Sequence, residues 1–261
     1  LDLMSVEETP MSYAPIVPRA RIGFIIPSSN RMIELQMARH CPVGVVPHFQ
    51  RIGMTNRHRA SLDRLLPRIL EAAELLGDAK CDVTVLQCTG ASMSGGLEAE
   101  RRVITAIEKA TGRPALSTAS SLVVALAALG ARRLVFVSET AQAGHDRKLA
   151  FLREAGFEIL ADKAVGLAGS DVYCTMPPEL WYDATLSLRH DDADAYFISC
   201  SNTHSVDVIE RLEQVLGKPV VTSNQVALWC ALRSIGLADV VPRLGRLMTI
   251  DRIEPAAAAA E

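Results

Sequence analysis

The sequence is short of several things that would have named a function class at once. It has no excess of charge of one sign: 27 Lys and Arg stand against 30 Asp and Glu, a formal net charge of -3. That balance gives no electrostatic reason to expect nucleic acid or an acidic membrane as partner. Long apolar runs are missing too. The longest, Leu122 to Leu129, is far too short to span a bilayer. The first residues are acidic and broken by Pro10 and Pro15, unlike a secretory leader. The six cysteines, at positions 41, 81, 88, 174, 200 and 230, fit no zinc spacing, so no metal site is expected. There is no P-loop, no Rossmann glycine fingerprint and no lysine-centred motif, which argues against a nucleotide or pyridoxal cofactor. The expectation is a cytoplasmic protein with reduced thiols and no cofactor.

What is present is a repeated short pattern. Asp82 precedes an apolar run, Val83 to Gln87, that ends in Cys88, Thr89 and Gly90. Asp194 precedes a second, Ala195 to Ser199, that ends in Cys200, Ser201, Asn202, Thr203 and His204. Such runs read as buried parallel strands. The cysteines then stand at carboxyl ends of strands, where open α/β sheets hold their ligands. The flanking segments repeat as well. Gly112-Arg-Pro114 before one short strand matches Gly217-Lys-Pro219 before another, an offset of 105 (217−112). The cysteines are offset by 112 (200−88). The extra seven residues fit an insertion in the glycine-rich loop after Cys88.

With 261 residues and 49% apolar content, the chain has core for one large α/β domain or two small ones. The order of elements predicts two pseudo-symmetric open parallel-sheet lobes with a cleft between them. Residues 1–19 and 251–261 read as tails, 20–130 as the first lobe and 131–250 as the second. The last helix and the segment after it, 225–250, are placed to pack back on the first lobe. Strands are expected at Arg21–Ile26, Gly44–Gln50 (an edge, from Pro47), Asp82–Gln87 and Pro114–Thr118, and again at Arg133–Val137, Phe157–Leu160, 195–199 and Pro219–Ser223. Ser61 is expected to cap a helix to Leu76, a helix from about Asp146 to Ala155 comes after the fifth strand, and Asp171–Pro178 reads as irregular.

Two thiols on opposite walls of one cleft suit chemistry at carbon without a cofactor. One thiolate can add to an alkene or remove a proton from one side, and the other can deliver a proton from the far side. Both cysteines are expected at helix starts, where the dipole favours the thiolate. His204 can assist Cys200. Thr89, Ser92, Ser201, Asn202 and Thr203 offer donors to a carboxylate or the enediolate formed from it. The loop Pro27-Ser28-Ser29-Asn30 leads from a strand into a helix, with Ser29 or Asn30 as cap, a geometry that presents N–H groups to an anion. A small-molecule binding protein, with bystander thiols, is the rival reading of the same two lobes.

On Gly23 to Asn30, Cys88-Thr89, Cys200 to Thr203 and Gly217 to Ser223, the chain resembles the aspartate/glutamate racemase superfamily. Within it, it is similar to the maleate cis–trans isomerase and arylmalonate decarboxylase branch. The resemblance spans about residues 20 to 250. It implies a small carboxylate or dicarboxylate substrate, Cys88 and Cys200 as catalytic residues, no cofactor, and a homodimer or higher oligomer. It puts Pro27, Ser28, Ser29, Asn30, Thr89, Gly90, Thr140, Ser201, Asn202, Thr203 and His204 around the substrate, with Asn30 on a carboxylate. Thr140 stands where this branch carries a tyrosine. Decarboxylases of the branch keep only the second cysteine, so the pair favours an isomerase or racemase over a decarboxylase. An amino-acid or hydantoin-type racemase and an arylmalonate-type decarboxylase are the alternatives.

Overall fold

A strand that is apolar on both faces must be covered on both sides. Ala20–Pro27, the first strand β1, is of this kind, with seven of its eight residues buried. In the computed structural model, which describes residues 17–55 and 59–253, it lies inside a four-stranded parallel sheet. The first lobe runs β1, α1 (Ile33–His40), β2 (Val45–Ile52), α2 (Leu62–Asp78), β3 (Val83–Leu86), α3 (Thr89–Ser92), α4 (Gly96–Thr111), β4 (Ala115–Ser117) and α5 (Thr118–Ala128). Its strand order is β2-β1-β3-β4. The second lobe runs β5 (Arg133–Ser138), α6 (Gln142–Glu154), β6 (Glu158–Ala164), α7 (Ser170–Tyr173), α8 (Pro178–Leu186), β7 (Ala195–Ile198), α9 (Ile209–Leu216), β8 (Val220–Thr222) and α10 (Ser223–Ser234). Its order, β6-β5-β7-β8, is the first order repeated. All six strand pairings are parallel. The expected tails fall largely outside the described residues, and no described helix is long and apolar enough to cross a membrane.

The repeat reaches the details. Asp82 Oδ2 accepts from the N–H of Arg21 at 2.8 Å, tying the start of β3 to that of β1. Asp194 Oδ2 accepts from the N–H of Arg133 at 2.8 Å and from that of Arg132 at 3.0 Å, tying β7 to β5. Gly112 and Gly217 close α4 and α9 at φ of 64° and 69°, left-handed positions where a Cβ is disfavoured. β2 is an edge strand, as Pro47 requires.

Some boundaries differ from expectation. Ser61 precedes α2, but its side chain closes no capping bond. α6 begins at Gln142, a turn earlier than expected, and Ser170–Tyr173 forms a helical turn where irregular chain was expected. Helix α1 is entered through Asn30, whose Oδ1 accepts from the N–H groups of Met32 and Ile33, both at 2.9 Å.

Alternation along β1 joins the lobes. Ile22, Phe24 and Ile26 point to a core shared with Leu134, Phe136, Phe197 and Trp229 of the second lobe. Ile25, on the other face, packs with Leu65 and Ile69 of α2. Helix α10 lies against α5 as well as β3 and β8, so it belongs to both lobes. Its first residues carry a buried polar junction. Gln87 Nε2 donates to Asn224 Oδ1 at 2.8 Å and to Ser223 O at 3.2 Å. Asn224 Nδ2 donates to Gln36 Oε1 at 2.6 Å and to Ser201 O at 3.0 Å, and Gln36 Nε2 donates to Thr203 O at 2.8 Å.

This frame gives two testable outcomes. Asn224→Ala strands the Gln36 carbonyl in the interior and leaves the Gln87 amide only Ser223 O, at about 1–3 kcal/mol for a group left unpaired; denaturant titration should show a loss of that order, and a change within error contradicts the junction. Asp194 is held down at about 2 by the Arg133 N–H, from its usual 3.8. Its depressed value means a stabilisation complete above pH 4 or so and lost as pH falls through about 2. Asp194→Asn should therefore flatten stability against pH in that window, and parallel curves for parent and variant contradict the assignment.

Candidate active site

A cavity of about 440 Å³ opens where the carboxyl ends of the two sheets meet. Pro27, Ser29, Asn30, Cys88, Thr89 and Gly90 line it from the first lobe, and Thr140, Cys200, Ser201 and Asn202 from the second. Ser28, Thr203 and His204, expected with them, are not among the lining residues. Ser28 is exposed on the outer side of its loop. Thr203 turns inward, its Oγ1 donating to Cys200 O at 3.2 Å. His204 does not face Cys200: its Nε2 lies 3.1 Å from Cys174 O and its Nδ1 3.5 Å from Asp207. Ser92, the last residue of α3, is buried and donates to Thr89 O at 3.3 Å.

The two thiols stand on equivalent loops but in different backbone settings. Cys88 is the residue before α3, as a strand-to-helix turn predicts. The amides of Ala91 and Gly90 are aimed at its sulfur without closing a capping bond. Cys200 does not start a helix, contrary to expectation; bends separate it from a 3₁₀ turn at Ser205–Val208. Its φ is +96°, a conformation that L residues avoid. Three bonds hold it there. Its N–H donates to Ser223 Oγ at 3.0 Å, its carbonyl accepts from Thr203, and its sulfur accepts from the Asn202 N–H at 3.3 Å. Ser223 Oγ also accepts from Thr89 Oγ1 at 2.8 Å. One hydroxyl therefore fixes the loop of each cysteine relative to the other.

The thiols are not acidified in this state. Burial is the largest influence on both, and it disfavours the anion. It pushes Cys88 up, against the Ala91 amide and the charge of Lys148. It pushes Cys200 well above the ordinary thiol range, with Glu139 adding to the effect and Lys148 opposing it. The other four cysteines lie outside the cavity, and all six are free.

Asn30 is committed to the protein. Its Nδ2 donates to Ser201 O at 3.1 Å and Ser201 Oγ at 3.3 Å, while its Oδ1 enters α1. Asn202 is likewise engaged, its Oδ1 accepting from the Arg31 N–H at 2.8 Å and its Nδ2 donating to Ser170 O at 2.9 Å. Ser29 Oγ lies 2.9 Å from Thr55 Oγ1 and 3.2 Å from Ser170 Oγ, a cluster of hydroxyls on the cavity wall.

Several lining residues escaped the sequence reading. Glu139 and Lys148 form an ion pair inside the cavity, at 6% and 3% exposure. Lys148 Nζ donates to the two Glu139 carboxylate oxygens at 2.7 and 2.6 Å and to Ser199 Oγ at 2.9 Å. The signal was there: Lys148 falls on the apolar stripe of α6, beside buried His145, Leu149 and Leu152. His145 anchors this corner, its Nδ1 2.7 Å from Ser138 Oγ and its Nε2 2.8 Å from Asp162 Oδ1. Tyr173 reaches the cavity from α7, beside Thr140, and burial pushes its hydroxyl up to about 12. Gly144 lets Thr140 sit against α6; a Cβ there would lie 2.4 Å from Thr140 Oγ1. Arg59 and Arg147 bring positive charge to the rim. Among the described residues no cluster of His, Cys, Asp and Glu could hold a metal ion.

Comparison with known proteins agrees with this architecture. The family model described as arylmalonate decarboxylase matches residues 22–248. A maleate isomerase of Nocardia farcinica (strain IFM 10152) is 31% identical over 241 residues, 88% of this chain and 96% of the relative. The solved structure of a Nocardia farcinica maleate cis-trans isomerase cysteine-to-serine mutant, with a covalently bound succinylcysteine intermediate, superposes with a TM-score of 0.81 at 28% identity, covering 88% of this chain and 98% of that one. A maleate isomerase from Pseudomonas putida S16 with maleate has the same fold, with a TM-score of 0.84 at 24% identity over 90% of this chain and 99% of that one. By its fold, its repeat and this match over most of its length, the chain belongs to the arylmalonate decarboxylase family.

Proposed function

We propose that the protein is a cofactor-independent cis–trans isomerase of a maleate-type dicarboxylate, with Cys88 and Cys200 as its reacting groups. The observation that carries the reading is the pair of thiols lining one cavity from equivalent strand ends of the two lobes. The relatives named maleate isomerase support the reaction, and the succinylcysteine intermediate in one of them supports its covalent course. A family decarboxylase needs only the second cysteine, so Cys88 speaks for the isomerase.

The groups present define the steps. Cys88, as thiolate, adds to one alkene carbon of the cis acid, forming a C–S bond and breaking the C–C π bond. The electron pair moves onto the neighbouring carboxylate as an enediolate. Rotation about what is now a single bond brings the carboxylates trans. The Cys200 thiol lends a proton to the carbanionic carbon and takes it back. Elimination then restores the alkene and the Cys88 thiolate. The hydroxyls of Ser29, Thr140, Tyr173 and Ser201 are the donors available to the developing oxyanion. Arg59 and Arg147 suit a substrate of double negative charge. Asn30 acts in this reading by holding the Ser201 loop, and it meets a carboxylate only if substrate displaces that bond. The chemistry needs reduced thiols, which fits a reducing compartment. The homodimer or higher oligomer implied by the family resemblance is read by light scattering.

Proton NMR on the protein with maleate should show the fumarate signal growing. Cys88→Ala and Cys200→Ala should each lower kcat by at least about a thousandfold, since each removes a group with no substitute in the cavity. Full activity in Cys88→Ala, with carbon dioxide released from an arylmalonate, would establish the decarboxylase instead. The strain at Cys200 gives a separate outcome. Cys200→Gly should be more stable than Cys200→Ala, because relief of about 1–3 kcal/mol of backbone strain exceeds the added unfolded-state entropy of glycine, about 0.4–1 kcal/mol. Equal melting temperatures would mean that the φ of +96° stores nothing.

A further inference from the structure

Each cysteine follows a buried polar residue, and the two halves of the repeat hold that residue differently. Gln87 and Ser199 are offset by 112 (199−87), as the cysteines are, and both are fully buried. Their backbones are fixed alike. The Gln87 N–H donates to Ile25 O at 2.8 Å, and the Ser199 N–H to Val137 O at 2.9 Å. Their side chains differ. Gln87 is long enough to reach Asn224 and Ser223 by itself. Ser199 is short, and its hydroxyl is met by a charged group, Lys148 Nζ, at 2.9 Å. Glu139 takes the other two protons of that ammonium, one on each carboxylate oxygen. His145 keeps both ends of the pair in register: it lies one turn before Lys148 and bonds Ser138, the residue before Glu139.

A buried ion pair seldom stabilises a protein more than an apolar pair of the same volume, and its best-attested use is to fix one conformation. A conformation that needs fixing is next along the chain. Cys200 has a φ of +96°, whereas Cys88 has a φ of -153°, in the extended region open to any residue. Backbone strain persists only where the surroundings over-determine it. The charged anchor thus stands in the half of the repeat whose cysteine is strained, and the neutral anchor in the half whose cysteine is relaxed.

We infer that the Glu139–Lys148 pair is a strut for Cys200: by gripping Ser199 it holds the next residue in the left-handed conformation that keeps its sulfur in the cavity. The inference rests on the reading that Cys200 reacts, and it adds Glu139, Lys148 and Ser199 as positioning residues. Val137 fixes the peptide before Ser199, Ser223 fixes the one after it, and Lys148 fixes the side chain between them. Thr203 fixes the far side of Cys200 through its carbonyl. With both flanks pinned, Cys200 cannot rotate back to negative φ. With the Ser199 side chain released, one flank can turn, the strain relaxes and the sulfur moves.

Ser199→Ala is the cleanest probe. Ser199 does not line the cavity, so its loss reaches a substrate only through Cys200, and the ion pair stays in place. The first readout is stability. Cys200→Gly should melt about 2–4 °C above Cys200→Ala in the parent background. In the Ser199→Ala background that gap should shrink by at least about half, the mark of coupling between the two sites. The double variant Glu139→Gln/Lys148→Met, which leaves no lone charge buried, should shrink the gap in the same way. The second readout is kinetic, with maleate as substrate. Ser199→Ala should lower kcat at least about tenfold and leave KM within about twofold, as expected when a reacting group is misplaced by less than an ångström. A gap that is absent in the parent, or unchanged in Ser199→Ala, overturns the proposal. So does a kcat for Ser199→Ala within about twofold of the parent value. A parent protein that leaves maleate unchanged would strike the isomerase reading instead, and the melting gap would still decide this one.

Discussion

The arrangement depends on one constraint: two loops from different lobes must hold their cysteines at fixed positions across a cavity. Ser223 meets it most directly. Its hydroxyl accepts from Thr89 and from the Cys200 N–H, so both loops hang from one oxygen. Around it, Gln87, Asn224 and Gln36 satisfy one another and the carbonyls of Ser201 and Thr203. A buried network of this sort is unforgiving, because any member removed leaves its partners unpaired in a low dielectric. That stiffness is what a two-sided reaction needs. A shift of an ångström between the thiols would let one reach the substrate and take the other out of range.

The same burial works against reactivity, since both sulfurs are pushed toward the neutral thiol. The site therefore depends on local charges and amides to recover a thiolate. The low dielectric around the buried sulfurs strengthens those influences as much as it strengthens the penalty. The backbone of Cys200 is strained and that of Cys88 is relaxed, in keeping with the wider rule that departures from local preference collect at functional sites.

Much of this was legible in the sequence. The strands announced themselves as apolar runs after Asp82 and Asp194, and each aspartate proves to clamp the strand next door. The Gly112 and Gly217 offset carried the repeat, because both positions need a left-handed residue. Cys88 and Cys200 stood out as cysteines followed by small polar residues at strand ends. What stayed hidden depended on side-chain direction in three dimensions. His204 is four residues from Cys200 in sequence, but the chain turns it toward Cys174. Asn30 looked like a ligand for an anion; it lines the cavity and is also a bolt between lobes, which its sequence position did not show. Glu139 and Lys148 were not singled out, since a long side chain gives no sign in sequence of facing inward. Only the apolar neighbours of Lys148 on α6 hinted at it.

The most direct test of the central claim is peptide mass spectrometry of Cys200→Ser after incubation with maleate and rapid quenching. The serine hydroxyl can still pass a proton to the carbanionic carbon but is too weak a base to take it back, so the protonated adduct on the other thiol should persist. The account predicts a mass increase of one succinyl group on the peptide that contains Cys88 and on no other. An unmodified Cys88 peptide, in a variant that is folded and binds maleate, would contradict covalent two-thiol isomerisation.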